Sequence, residues 1–283
     1  YLNVLDFIGN YEKAGKVPLL LSGEQSFSKK GSCEYQDLEY PDDCIVDFDM
    51  RLIDLFKEID KKKLTLKMQI RQEYYRVKEL LDGKRPSRMD LFTYMDDEIY
   101  RICVSGSHAK ENPFQQYLDF LYELGELSED EQKLYAGIGR EFIQTIETTE
   151  MQKVYKMPIL YSFYNHGNIR LAVTDEEVLE SWKEFFDTGT NWKDFPNVNT
   201  YEDYKKVTDK QHLSKAKRMP IRFLKASGKG FFVEKDGYAL ALRDEIGDVV
   251  GNMAFGEQMG DVLGYRSLEY YRRRYKKNRS EGD

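Results

Sequence analysis

Apolar residues recur at spacings of three and four over much of this chain, and that period constrains its fold more than any other feature. Leu66, Ile70, Tyr74, Val77 and Leu81 fall on one face of a helix over 65–82, and Val178, Leu179, Trp182, Phe185 and Phe186 on one face of a later helix. A period near 3.6 buries one stripe of a helix, whereas a strand alternates with a period of two. The helix ends are marked as well. Ser128-Glu129-Asp130-Glu131 and Thr174-Asp175-Glu176-Glu177 each place a Glu three residues after a hydroxyl, the spacing of a capping box. Gly83 ends the 65–82 helix, and Pro86 stands where Pro is tolerated at the start of the next. The fold class expected is mainly α: a helical accessory domain with a few short strands and one β-hairpin near the C-terminus.

The hairpin is placed by Asp236-Gly237, a turn pair tolerant of positive φ, between Phe231-Phe232-Val233 and the run from Tyr238 to Leu242. Other strands are expected near 2–8 and 45–48, a helix at about 49–63, and only helices from Pro86 to about 188. Asn191 to Thr200 is expected to be loop. The stretch 205–229 predicts a helix broken by Pro220, and the last helix, near 257–277, is expected to be weakened by Gly260 and Gly264. This divides the chain into a strand and turn over 1–22, a linker or loop over 23–44, a helical domain over 45–200 and a basic subdomain over 201–283.

With 283 residues a substantial core can form. No run approaches the roughly 18 consecutive apolar residues that a membrane span needs, so no membrane partner is expected. The opening Tyr1-Leu2-Asn3 lacks an initiator Met and a secretory signal, and Leu2–Ile8 has the pattern of a buried strand without its neighbours. The expectation is a cytoplasmic fragment of a longer protein. Cys33, Cys44 and Cys103 are odd in number and share no ligand spacing, which fits a reducing compartment. His108, His166 and His212 are scattered, so no metal site is expected.

No complete catalytic constellation can be assembled. Gly228-Lys229-Gly230 is followed by Phe231 rather than the hydroxyl of a phosphate-cradling loop, and fits a turn before the hairpin. Gly31-Ser32-Cys33 and Ser105-Gly106-Ser107-His108 lack the flanking glycines of a nucleophile elbow. The adjacent acids Asp42-Asp43 and Asp96-Asp97 suit capping or solvated positions better than a metal.

Three segments resemble a known family. Tyr1-Leu2-Asn3-Val4-Leu5-Asp6-Phe7-Ile8-Gly9-Asn10-Tyr11 resembles the strand and turn that follow the arginine-finger motif in bacterial superfamily-two DEAD/DEAH-box helicases of the type III restriction-subunit kind. Arg85-Pro86-Ser87-Arg88-Met89-Asp90-Leu91-Phe92 and Met151-Gln152-Lys153-Val154-Tyr155-Lys156-Met157-Pro158 resemble segments of the helical C-terminal extension of these proteins. The likeness spans about the first two-thirds of the chain. It implies an ATP-dependent parent whose ATP- and Mg-binding residues and arginine finger all precede Tyr1. No cofactor then belongs to this chain, and the upstream motor lobes are its first partner. Kinship further implies restriction or phage defence, with a nuclease or defence subunit as a possible partner.

The formal net charge of −7 opposes a protein that coats nucleic acid over its whole surface. The average conceals a polarity. Acids dominate from Glu34 to Asp60, whereas Lys205, Lys206, Lys210, Lys215, Lys217, Arg218, Arg222, Lys225 and Lys229 face only Asp209. Nine bases against one acid exceed what solubility requires, which makes this segment the leading candidate for weak, sequence-independent nucleic-acid contact. Arg272, Arg273 and Arg274, on a final helix kept in phase by Leu268, Tyr271 and Tyr275, are added to it. Lys67, Arg71, Tyr75 and Lys78 suit an ordinary solvated face better. The function expected is an accessory C-terminal region of an ATP-dependent DNA helicase or translocase, with a protein-interaction module as the alternative.

Overall fold

A computed structural model describes residues 65–280, with side chains through residue 275. The chain divides into two compact units, Tyr1–Gln72 and Glu73–Asp283, the first described only over residues 65–72. The strands expected at 2–8 and 45–48, the loop at 23–44, the helix at 49–63, Cys33, Cys44 and the acidic stretch Glu34–Asp60 lie outside the described residues.

The described chain is mainly helical. The expected first helix is α1, Leu66–Leu80, with Ile70, Tyr74 and Val77 buried. Gly83, at φ 80°, closes it by donating its N–H to the Lys78 carbonyl at 2.9 Å, satisfying an orphan carbonyl of the last turn. Ser87, not Pro86, caps α2 (Arg88–Tyr94), in a capping box with Asp90, so Pro86 stands one residue outside the helix. Asp96 caps α3 (Asp97–Cys103) by accepting from the Glu98 and Ile99 N–H groups, a capping role for one of the adjacent acids. Then come α4 (Tyr117–Leu124), α5 (Glu129–Ala136), α6 (Ile138–Thr148) and α7 (Lys156–Tyr164). Both expected capping boxes are present, Ser128 with Glu131 at α5 and Thr174 with Glu177 at α8 (Asp175–Asp187).

One strand interrupts the stretch expected to be all helix. Ala172–Val173 forms β1, which pairs antiparallel with β3 (Leu240–Leu242), and β3 pairs antiparallel with β2 (Phe232–Val233), giving the order β1-β3-β2. Val173 lies opposite Leu240, and Phe232 opposite Leu242. Two residues carry too little alternation to announce a strand; β1 exists because β3 supplies its partners. The hairpin forms as expected, but only Gly237 of the turn pair takes positive φ (82°), with Tyr238 N–H donating to the Lys235 carbonyl. That is the type II pattern rather than the doubly left-handed turn.

Between α8 and the hairpin run α9 (Tyr201–Lys205), α10 (Asp209–Ala216), a π-helical turn over Lys217–Ile221 and α11 (Arg222–Ser227). Pro220 therefore does not break the helix: the wider turn absorbs its missing N–H, and the path from Asp209 to Ser227 is continuous. After α12 (Gly247–Val250), the chain closes with α13, Met253–Ser280, which packs on α2, α5, α6 and α7. Of the two glycines expected to weaken it, Gly264 has room for a side chain and Gly260 does not. A Cβ on Gly260 would lie 2.6 Å from the Tyr164 hydroxyl, so glycine is what lets α7 and α13 approach. One core of α5 to α8, the sheet and α13 buries Phe142, Phe163, Trp182, Phe231 and Phe255 together, joining residues on either side of position 200. No helix among the described residues is long and apolar enough to cross a membrane.

Candidate nucleic-acid interface

The basic segment is built on three short helices with hydroxyl caps or direct continuity. Thr200 caps α9 by accepting from Asp203 N–H, and Thr208 forms a capping box with Gln211 at the start of α10. These caps set where each Lys emerges, and neighbouring acids then decide which charges remain available.

Five of the nine cations are engaged. Lys205 lies 3.7 Å from Glu202 with its ammonium 4.6 Å from the centre of the Tyr201 ring, and Lys206 lies 3.5 Å from Asp203. Lys217 pairs with Asp175 at 2.6 Å, and Lys225 with Glu234. Lys215 is half-buried, 5.2 Å from the centre of the Tyr155 ring. Burial pushes its pKa down, and the positive charges of Arg218 and Lys153 push it further. The other four, Lys210, Arg218, Arg222 and Lys229, are exposed and have no acid within 4.0 Å among the described residues. Asp209, the lone acid of the segment, is taken by Lys183 at 2.9 Å, which holds its carboxyl below the usual range.

The terminal arginines are placed differently. Arg272 pairs with Asp97 and lies over the rings of Phe92 and Tyr100, at 5.0 and 4.8 Å from their centres. Arg273 pairs with Glu269 at 2.5 Å, and Arg274 with the buried Asp194. Arg272 and Arg274 thus tie α13 to other elements, Arg273 pairs within α13 itself, and none of the three stands as a free cation. On α1, Lys78 is held by Glu126 at 2.7 Å.

Two cations absent from the sequence-based set join the basic segment in space. Lys153 and Lys156 come from the loop before α7 and its first residue, and Lys153 is close enough to depress the Lys215 pKa. The signal available in the sequence was two lysines flanking Tyr155, a pattern too common to single out. Cys103 is buried with its thiol pushed up to about 12, chiefly by burial, and no group of three His, Cys, Asp or Glu residues that could hold a metal occurs among the described residues. No family model matches the chain, and neither does any curated protein or solved structure.

Proposed function

We propose that this chain is an accessory C-terminal region of an ATP-dependent DNA helicase or translocase, contributing weak, sequence-independent nucleic-acid contact and docking on the motor lobes. On this reading ATP and Mg belong to the parent's motor, the chain needs no cofactor, and the setting is cytoplasmic. The observation that carries the nucleic-acid part is a set of four exposed cations without an acid partner among the described residues, Lys210, Arg218, Arg222 and Lys229, along and just after one continuous helical path. Cations already neutralised by neighbours gain little from a phosphate, whereas unpaired ones gain the whole interaction and release its counterions. The helicase part rests on the three resembling segments.

A second reading, a module that recruits a protein partner, draws on a separate groove of about 580 Å³. Tyr161, Tyr164, Phe185 and Tyr271 line it together with Glu180, with Glu177, which pairs with Arg170 at 3.0 Å, and with Glu184, which lies 3.9 Å from His166, so aromatic rings and a modest acidic excess would face a basic peptide.

The test is binding of a labelled single strand and a labelled duplex at low salt. Changing Lys210, Arg218, Arg222 and Lys229 to Ala should weaken binding by about tenfold or more, while changing Lys205, Lys206, Lys217 and Lys225 to Ala should matter far less. Four phosphate contacts give a log–log salt slope of roughly −3.6 for duplex and −2.8 for single strand. Equal affinity in the native chain and the first variant overturns the nucleic-acid reading and favours recruitment of a protein.

A further inference from the structure

The π-turn, α11 and the loop before α7 enclose a cleft of about 460 Å³. Three lysines line it, Lys153, Lys156 and Lys229, with one acid, Glu150, in its wall; Lys153 also lies 4.0 Å from Asp194, a carboxylate it shares with Arg274. Lys156 is the informative one. It is buried, and its ammonium donates to Thr149 Oγ1 at 2.9 Å and Ser227 Oγ at 3.4 Å, both neutral hydroxyls. It has no carboxylate within 4.0 Å and no acceptor for a third N–H among the described residues. A buried charge without a counter-charge is unfavourable, and a protein ordinarily neutralises, pairs or solvates it.

The surroundings sharpen the deficit. Burial lowers the Lys156 pKa and Arg266 lowers it further, against the opposite pull of Glu150. Lys153 is lowered in the same way by burial and by Arg274. Lys229 sits at φ 49°, a left-handed conformation disfavoured for a side chain with a Cβ, yet it is held at the cleft. Thr149 Oγ1, having accepted from Lys156, keeps its own proton to donate, whereas the Ser227 hydroxyl gives its proton to the Phe223 carbonyl at 2.7 Å. Met219, Pro220 and Phe223 form an apolar wall, with Phe223 48% exposed, and Thr145, Thr148, Gln152 and Tyr155 complete the lining.

We propose that this cleft binds one nucleotide unit, its phosphate on Lys156, Lys153 and Lys229 and its base against Phe223. Lys156 and Lys229, with no acid within 4.0 Å among the described residues, and Lys153, shared with Asp194, leave the cleft an excess of positive charge that suits a phosphate, and an exposed aromatic ring beside them is the arrangement on which a base stacks. The inference rests on the nucleic-acid reading above and specifies where a strand is gripped. The same chemistry is offered by a free mononucleotide and by a residue within a strand, and both are used as probes.

The experiment titrates the full chain with inorganic phosphate, a nucleoside 5′-monophosphate and a labelled single strand at low ionic strength. The mononucleotide should bind more tightly than inorganic phosphate. Lys156→Gln should weaken both by about tenfold or more, and Phe223→Ala should weaken the mononucleotide while sparing phosphate. A Lys156→Gln chain that fails to fold leaves Lys229→Gln and Phe223→Ala, both at exposed positions, to give the result. The cleft site is overturned if neither phosphate nor mononucleotide binds, or if these variants bind as the native chain does. If the strand still binds through Lys210, Arg218 and Arg222 while the mononucleotide does not bind, the cleft fails and the broader function stands. Mononucleotide binding that survives Ala at those three positions supports the cleft, even if strand binding proves insensitive to them.

Discussion

Arg88 is fully buried, and its guanidinium is shared among Glu147 at 2.5 Å, Gln258 at 2.7 Å and Asp261 at 2.8 Å, with the Tyr117 ring centre 4.5 Å away. Asp261 also accepts the Arg88 and Met89 backbone N–H groups, and Glu147 that of Tyr117. One Arg thereby ties α2, α6 and α13 together. Burial raises the Glu147 pKa, and the adjacent Arg88 opposes the rise. Removing the cation strands two acids, so Arg88→Met should cost about 3–5 kcal/mol in urea unfolding. Adding Glu147→Gln to Arg88→Met should recover part of that loss, because one stranded charge disappears. His212 makes a pH prediction. It is buried beside Phe195 and Tyr204, with ring centres at 4.9 and 5.5 Å, and burial followed by Lys183 lowers its pKa below 6.5, against Asp209 and Asp187. The unfolded chain then binds the proton first as pH falls, so this stability is present above 6.5 and is lost as pH drops through the lowered folded pKa. His212→Phe should flatten the stability profile as pH falls below about 6.5, measured by thermal melts.

Among the elements, two glycines predict opposite signs. A Cβ on Gly228 would lie 2.3 Å from the Phe232 ring and 2.5 Å from the Leu224 carbonyl oxygen, which is backbone and cannot swing away. Gly228→Ala should therefore destabilise by about 1–3 kcal/mol. A Cβ on Gly264 would meet only Met89 at 3.8 Å, an ordinary contact, so Gly264→Ala should stabilise α13 by about 0.5–1 kcal/mol through helix propensity. Chemical denaturation of the two variants checks both signs. Caps were the most legible parts of these elements, because a hydroxyl and a Glu three residues apart act within one turn. The π-turn at Pro220 and the strand Ala172–Val173 were not legible, since each depends on what packs beside it.

Across the Glu73–Asp283 unit, α5 to α8, the sheet and α13 bury one core, so these parts should unfold together. Both tryptophans, Trp182 and Trp192, lie near α8, and their fluorescence change in urea should coincide with the loss of amide-exchange protection over 254–271. Protection lost in α13 at a lower urea concentration would separate it from the rest. What the sequence by itself determined was the helical class, the position of α1 and α8, two capping boxes and the hairpin near Gly237, because these follow from periods and spacings of a few residues. Tertiary structure alone decided which charges are free. Lys217 meets Asp175 and Arg272 meets Asp97, partners 42 and 175 residues away, while Lys210, Arg218, Arg222 and Lys229 meet no acid among the described residues. The same holds for Arg88, whose partners stand 59 and more residues along the chain. A one-dimensional pattern records that a side chain is charged; whether it is neutralised, buried or left open depends on distances that exist only once the helices have packed.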